Sequence, residues 1–240
     1  LHDFILESNF AKKEKLKVIG AGSSNGIDTN SFKKSSEIEI VAKEISVRLN
    51  IGQADFTYIF IGRLVRDKGV HELVDAFTSL TKVYPNLKLV LVGPEEPDLD
   101  PLSERCLYQI QRNKSIFKVG FQDDVKPYLS MSDALVFPSY REGFPNVPLQ
   151  AGCFDLPSIV TDINGCNEVI VHNENGLIVP VKDTSALKLA MERLYIDTTL
   201  YMSLKKNARQ MIAERYEQNE IWKLLLIEYQ ERLERKYVLR

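Results

Sequence analysis

Cysteine, histidine and tryptophan are scarce, with three, three and one residue respectively in 240. Cys106, Cys153 and Cys166 are scattered, as are His2, His71 and His172, and no pair has metal-ligand spacing. Plain thiols in a reducing cytosol are therefore expected, with no protein-held metal site and no bound cofactor. An excess of charge is also lacking. The formal net charge is −2, so nothing electrostatic favours nucleic acid or an acidic membrane surface as partner. The apolar runs are far too short to span a bilayer, and no secretory signal is read at the start. Leu1 in place of an initiator Met hints at a chain cut or processed from a longer one.

What is present is ordinary for a globular protein: 44% apolar and 27% charged residues, enough for one large domain or two small ones. Short β-branched runs at residues 56–62, 87–93, 116–120, 134–138, 158–161 and 177–179 read as buried strands. Helical spacing links Val70, Leu73, Val74, Phe77 and Leu80, with Pro85 beyond. The same spacing links Leu187, Ala190, Met191 and Leu194 after an Asp183 or Thr184 cap, and Ile38, Val41, Ala42, Ile45 and Leu49 earlier. The alternation predicts an α/β fold, a doubly wound, mostly parallel, Rossmann-like sheet. Residues 16–19 are a further possible strand. After Leu194 only helix is expected, with Trp222, Leu225, Tyr229 and Leu233 in one stripe that must cover this domain or a partner surface.

Ligands of such sheets bind beyond the carboxyl ends of the strands, which selects the loops after Gly62, Gly93, Gly120, Pro138 and Thr161. The run from Gly20 to Gly26 superficially suggests a dinucleotide loop, but its spacing is wrong and no helical pattern follows. A flexible connector with a turn at Asn25-Gly26 is preferred. Arg63 and Lys68 flank the loop after the first confident strand, where a bidentate guanidinium and a compact ammonium suit an anion. Glu142 sits in a second such loop, Glu142-Gly143-Phe144-Pro145-Asn146-Val147, and Gln150 on the helix that follows. Both carry acceptors for hydroxyl groups. Together these positions suit a ligand with an anionic middle and hydroxyl-rich ends, a nucleotide sugar.

Taken in order, Gly62-Arg63-Leu64…Lys68-Gly69, Gly120-Phe121…Asp124-Val125, Glu142-Gly143-Phe144-Pro145 and Gly165…Glu168-Val169-Ile170 resemble the GT4-type glycosyltransferases. The match is to the C-terminal, donor-binding half of the two-domain GT-B architecture, over about residues 25–194. The segment Gly22-Ser23-Ser24-Asn25-Gly26-Ile27-Asp28 is similar to the crossing into the donor domain, most of all in bacterial enzymes of surface-polysaccharide assembly.

The resemblance implies hexosyl transfer, with retention, from a UDP- or GDP-type donor to an acceptor sugar or lipid-linked glycan. It places Arg63 and Lys68 on the diphosphate and Glu142 on the sugar. The backbone of Phe144, Pro145, Asn146 and Val147 would lie near the phosphates, with Gly62 and Gly143 in the same loops and Phe121 near the base. Gln150 stands where the family has a second Glu, expected on the ribose. Residues 1–28 are then the connector from a missing N-terminal acceptor domain, 29–195 the donor domain and 196–240 helices packed on this domain or on the missing half. The chain alone is expected to be a weakly active or inactive fragment of a cytoplasmic enzyme, peripheral at the inner membrane face when full-length. Two alternatives remain open: a nucleotide-sugar epimerase or hydrolase of related architecture, and a non-catalytic nucleotide-sugar-binding module.

Overall fold

A computed structural model of the chain describes residues 2–23 and 25–238, which leaves Leu1, Ser24 of the 20–26 loop, and residues 239 and 240 outside the description. Among the described residues the strands are β1 (Phe56–Ile61), β2 (Leu87–Val92), β3 (Ile116–Gly120), β4 (Ala134–Phe137), β5 (Ser158–Thr161) and β6 (Gly176–Val179). The helices are α1 (His2–Glu7), α2 (Ser36–Arg48), α3 (Val70–Leu80), α4 (Glu104–Arg112), α5 (Lys126–Ser130), α6 (Asn146–Cys153), α7 (Cys166–Val169), α8 (Thr184–Ile196), α9 (Thr198–Tyr216) and α10 (Gln218–Val238).

The strands form one parallel sheet in the order β3-β2-β1-β4-β5-β6. Alternate residues of each strand point to opposite faces. Tyr58 and Phe60 of β1 accordingly join Leu73, Phe77 and Met191 on one side, while Ile59 and Ile61 join Leu149, Ile212 and Tyr216 on the other. Both faces of the central strands β1 and β4 are covered, which is why they read as mostly apolar runs and not as alternating ones, whereas the edge strand β3 keeps Lys118 exposed. Each large side chain so buried contributes about 1.5–3 kcal/mol. Helix starts follow local chemistry: Ser35, Ser103, Asp183 and Asp197 cap α2, α4, α8 and α9 through their side chains. By contrast α3 and α6, which follow the two central strands, begin without a side-chain cap.

Two expectations are corrected. Residues 16–19 belong to no strand; no neighbouring edge is offered to them, and the segment instead runs beside α10, where Lys17 pairs with Glu228. The Asn25-Gly26 turn is not loose. Ile27 exchanges backbone hydrogen bonds with Tyr216 (2.8 Å) and Gln218 (3.0 Å), and Trp222 Nε1 donates to Asn25 Oδ1 at 2.8 Å. Of the two surfaces expected for the stripe on α10, this domain takes little of it: Trp222, Tyr229 and Leu233 are exposed and Leu225 partly buried, whereas Ile221 and Glu228 face inward. Glu228 is tolerated there because Lys17 and Arg232 both pair with it.

The loops after the central strands approach each other closely at one backbone contact. Gly69 has φ +69°, and a β-carbon there would overlap the Pro138 carbonyl oxygen at the end of β4. Gly120 has a similar φ of +73° but open space around it. Gly120→Ala should therefore cost only the conformational term, ~1 kcal/mol, whereas Gly69→Ala should cost at least ~2 kcal/mol through added clash. Urea unfolding of the two variants checks this; equal losses would contradict it.

Candidate functional site

Strand order reverses between β1 and β4, so their following loops leave in opposite directions and open a crevice between them. On the β1 side, Gly62 N–H donates to Val92 (2.9 Å) and Leu64 N–H to Pro94 (2.7 Å), continuing the sheet into the loop. A 3-10 turn over Arg66–Lys68 then leads through left-handed Gly69 into α3. On the β4 side, Tyr140 N–H donates to the Asp67 carbonyl at 2.8 Å. The Arg141 guanidinium donates to the Asp67 carboxylate at 3.2 and 3.3 Å, and the Tyr140 hydroxyl to Glu72 at 2.7 Å. Thr161 Oγ1 donates to the Ser139 carbonyl from the next strand. Farther along, Gly165 lies against the Gly143 carbonyl so closely that a β-carbon would overlap it, and the Phe144 ring rests on Tyr216, 5.4 Å between centroids.

These supports set two side chains against each other. Lys68 Nζ donates to Glu142 Oε1 at 2.6 Å, with side chains only 15% and 16% exposed. Low exposure strengthens the pair and raises the cost of leaving either member alone. The uncapped first turn of α6, at Asn146 and Val147, starts four residues after Glu142 and points backbone N–H groups toward the same edge. The arrangement can therefore hold an anion at the ammonium and the helix start, and hydroxyl groups at the carboxylate.

The other residues named from the sequence are placed differently. Arg63 lies at the end of β1 and is half-exposed, its guanidinium bonded to Glu96 of the β2 loop at 2.7 Å. Phe121 follows β3, two strands out, and is 67% exposed. Gln150 is partly buried in the second turn of α6, and among the described residues its amide has no protein hydrogen bond. None of the three is bonded to the Lys68–Glu142 pair. Sequence reasoning did not find Asp67, Tyr140 or Tyr216, which join or back the two loops. The signal for Asp67 and Tyr140 was their place beside Lys68 and Glu142; Tyr216 gave none.

Beneath the pair lies Cys166, fully buried. Burial, then the negative charge of Glu142, push its thiol up to about 12, with Lys68 opposing. Burial does the same for Cys106 and Cys153, also to about 12. A cavity of about 900 Å³ lies nearby, lined by Ile5, Leu16, Val18, Asn167, Glu168 and Leu225 among others, but it includes neither Lys68 nor Glu142. The strand-order reversal places the candidate site, because it rests on the backbone that positions the charges. Among the described residues no helix is long and apolar enough to cross a membrane.

A six-stranded parallel sheet of this order, with a charged crevice at its switch point, is a Rossmann-like ligand-binding domain. Residues 41–211 match the model of the family described as Glycosyl transferases group 1, and the chain belongs to that family. It is similar to the capsular polysaccharide biosynthesis glycosyltransferase CapM of Staphylococcus aureus, 30% identical over 222 residues, 92% of this chain and 57% of CapM. Its fold is that of the C-terminal domain of GT-B glycosyltransferases. HepE of Anabaena, solved in complex with UDP, superposes with a TM-score of 0.84 at 21% identity, covering 96% of this chain and 61% of HepE. The C-terminal domain of a group 1 glycosyltransferase from Francisella tularensis gives 0.68 at 24% identity, covering 79% of this chain and 97% of that domain. The chain spans about half the length of the relatives it matches.

The thiols provide a test of the packing around the site. With all three thiols buried and pushed up to about 12, native protein at pH 8 should not react with a thiol reagent, whereas unfolded protein should expose three groups. The folded state keeps protons that the unfolded chain loses near a thiol pKa of 9.0, so stability should fall as pH rises above that value. Rapid native labelling of Cys166 would contradict the packing.

Proposed function

We propose that this chain is the donor-binding half of a glycosyltransferase that moves a hexosyl group, with retention, from a UDP- or GDP-type sugar to an acceptor in surface-polysaccharide assembly. The Lys68–Glu142 pair at the switch point carries this reading: one cation for a diphosphate and one acceptor group for a sugar, side by side on one crevice wall. Family membership supports the transfer chemistry, and HepE, solved with UDP, supports a nucleotide of that kind.

Departure of the diphosphate builds negative charge on its oxygens while the sugar ring becomes positive. Lys68, Arg63 and the first N–H groups of α6 would meet the leaving oxygens with fixed positive charge. One such donor is worth ~3 kcal/mol of barrier, without a metal ion. Arg63 joins by releasing Glu96, an exposed pair that water screens and that costs little to open. The Glu142 carboxylate accepts from the sugar hydroxyls and positions the ring. Gln150 keeps an acceptor oxygen for ribose but not the charge a Glu would bring.

The same proposal covers the division of the chain. Residues 1–28 are a connector, 29–195 the donor domain, and 196–240 helices that serve this domain or the half that holds the acceptor, an acceptor sugar or lipid-linked glycan. A lipid-linked acceptor would bring the full-length enzyme to the cytoplasmic face of the membrane.

Calorimetric titration with UDP, GDP, ADP and their common sugars tests the reading. A nucleoside diphosphate should bind, and Lys68→Ala or Arg63→Ala should weaken it by at least ~1.5 kcal/mol, about tenfold. Unchanged affinity in both variants would remove them from the site. The 240-residue chain alone should transfer sugar poorly or not at all; robust transfer would refute its being half an enzyme.

A further inference from the structure

Lys68 and Glu142 are assigned to different parts of one donor, yet they are bonded to each other at 2.6 Å. A diphosphate seeking the ammonium meets a carboxylate already on it, in a wall where both side chains are about five-sixths buried. Two anions on one partly buried cation repel each other, and water is poorly placed to screen them. We propose that donor binding is an exchange: the diphosphate displaces Glu142 from Lys68, and the released carboxylate is re-satisfied only by the hydroxyls of the attached sugar. This rests on the nucleotide-sugar reading and adds a coupling between its two halves.

The surroundings favour a rotation of the Glu142 side chain over a movement of its loop. The backbone on both sides is fixed, by Tyr140 N–H on Asp67 before it and by Gly165 against the Gly143 carbonyl after it. The next residue, Gly143, is unpacked, since a β-carbon there would meet no atom within 4 Å. Among the described residues the neighbouring cations have other partners: Arg141 is paired with Asp67, Lys182 lies over the Tyr140 ring, and Arg63, once off Glu96, is assigned to the diphosphate. Below lies the buried Cys166. A bare diphosphate therefore leaves Glu142 with water alone in a partly buried setting, whereas the intact donor supplies hydroxyl partners. The pair becomes a device that prefers the sugar-bearing nucleotide and expels the spent one, as Glu142 recaptures Lys68 once the sugar has left.

The test is titration of the wild-type chain and of Glu142→Gln with inorganic pyrophosphate, UDP, GDP, UDP-glucose and GDP-mannose. Glutamine keeps the shape and removes the competing charge. Bare diphosphates should bind Glu142→Gln at least about fivefold more tightly than wild type, and the preference for the sugar-bearing form should shrink or vanish. In a Lys68→Met background the same substitution should shift nothing, because the contested cation is gone. If Glu142→Gln leaves bare diphosphate binding unchanged or weaker while Lys68→Ala still weakens it, the exchange is overturned and the nucleotide-sugar reading stands. If neither pyrophosphate nor any nucleoside diphosphate binds wild type or variant, both fall. Should Glu142→Gln fail to fold by circular dichroism, Glu142→Asp, one methylene shorter and weaker in its hold on Lys68, is read the same way with a smaller tightening.

Discussion

The contact of Gly69 with the Pro138 carbonyl oxygen is the constraint on which the candidate site depends. It joins the first residue before α3 to the end of β4, across the point where the sheet reverses its order. Only a residue without a β-carbon permits that approach at φ +69°. The contact brings the 62–69 and 138–145 loops to a common wall, and Asp67, one residue before Lys68, then accepts from Tyr140 and Arg141 just ahead of Glu142. Backbone proximity comes first, and the side-chain chemistry is built on it.

With the loops so placed, electrostatics in a partly buried setting does the rest. Opposite charges at 2.6 Å satisfy each other, while Cys166 and the tilted Phe144–Tyr216 ring contact keep the wall behind them apolar. The contrast with Arg63 is instructive. Its pair with Glu96 is comparably short but half-exposed, so it can be exchanged at little cost. One cation is thus held firmly and the other loosely on the same edge of the sheet.

Much of this architecture was legible in the chain. Strands buried on both faces become continuous β-branched runs, and the runs read at 56–62, 87–93 and 134–138 overshoot the observed strands only by the Gly62, Gly93 and Pro138 that end them. The α8 cap was legible to within one residue, as Asp183 or Thr184, since a cap is a local hydrogen bond, and Asp183 makes it. The candidate loops were visible as residues, but the bond between Lys68 and Glu142 spans 74 positions, and no local pattern records it. The partner of Arg63 was hidden for the same reason. Periodicity left open what the α10 stripe covers: its apolar residues surround the helix, so spacing alone could not say that Ile221 and an ion-paired Glu228 turn inward while Trp222 and Tyr229 stay out.

The amino-acid sequence alone determined the class of fold and the order of its elements, because burial periodicity, caps and glycine-marked turns are properties of a few adjacent residues. It also named the loops on which an anion site would stand. Only tertiary structure decided which charges meet, because that depends on the sheet crossing over between β1 and β4 and on two backbones approaching within the space of a missing side chain. The pairing of Lys68 with Glu142, the diversion of Arg63 to Glu96 and the anchoring of the 25–27 turn on α9 and α10 all belong to that second level, where distance in space and not in sequence sets the energy.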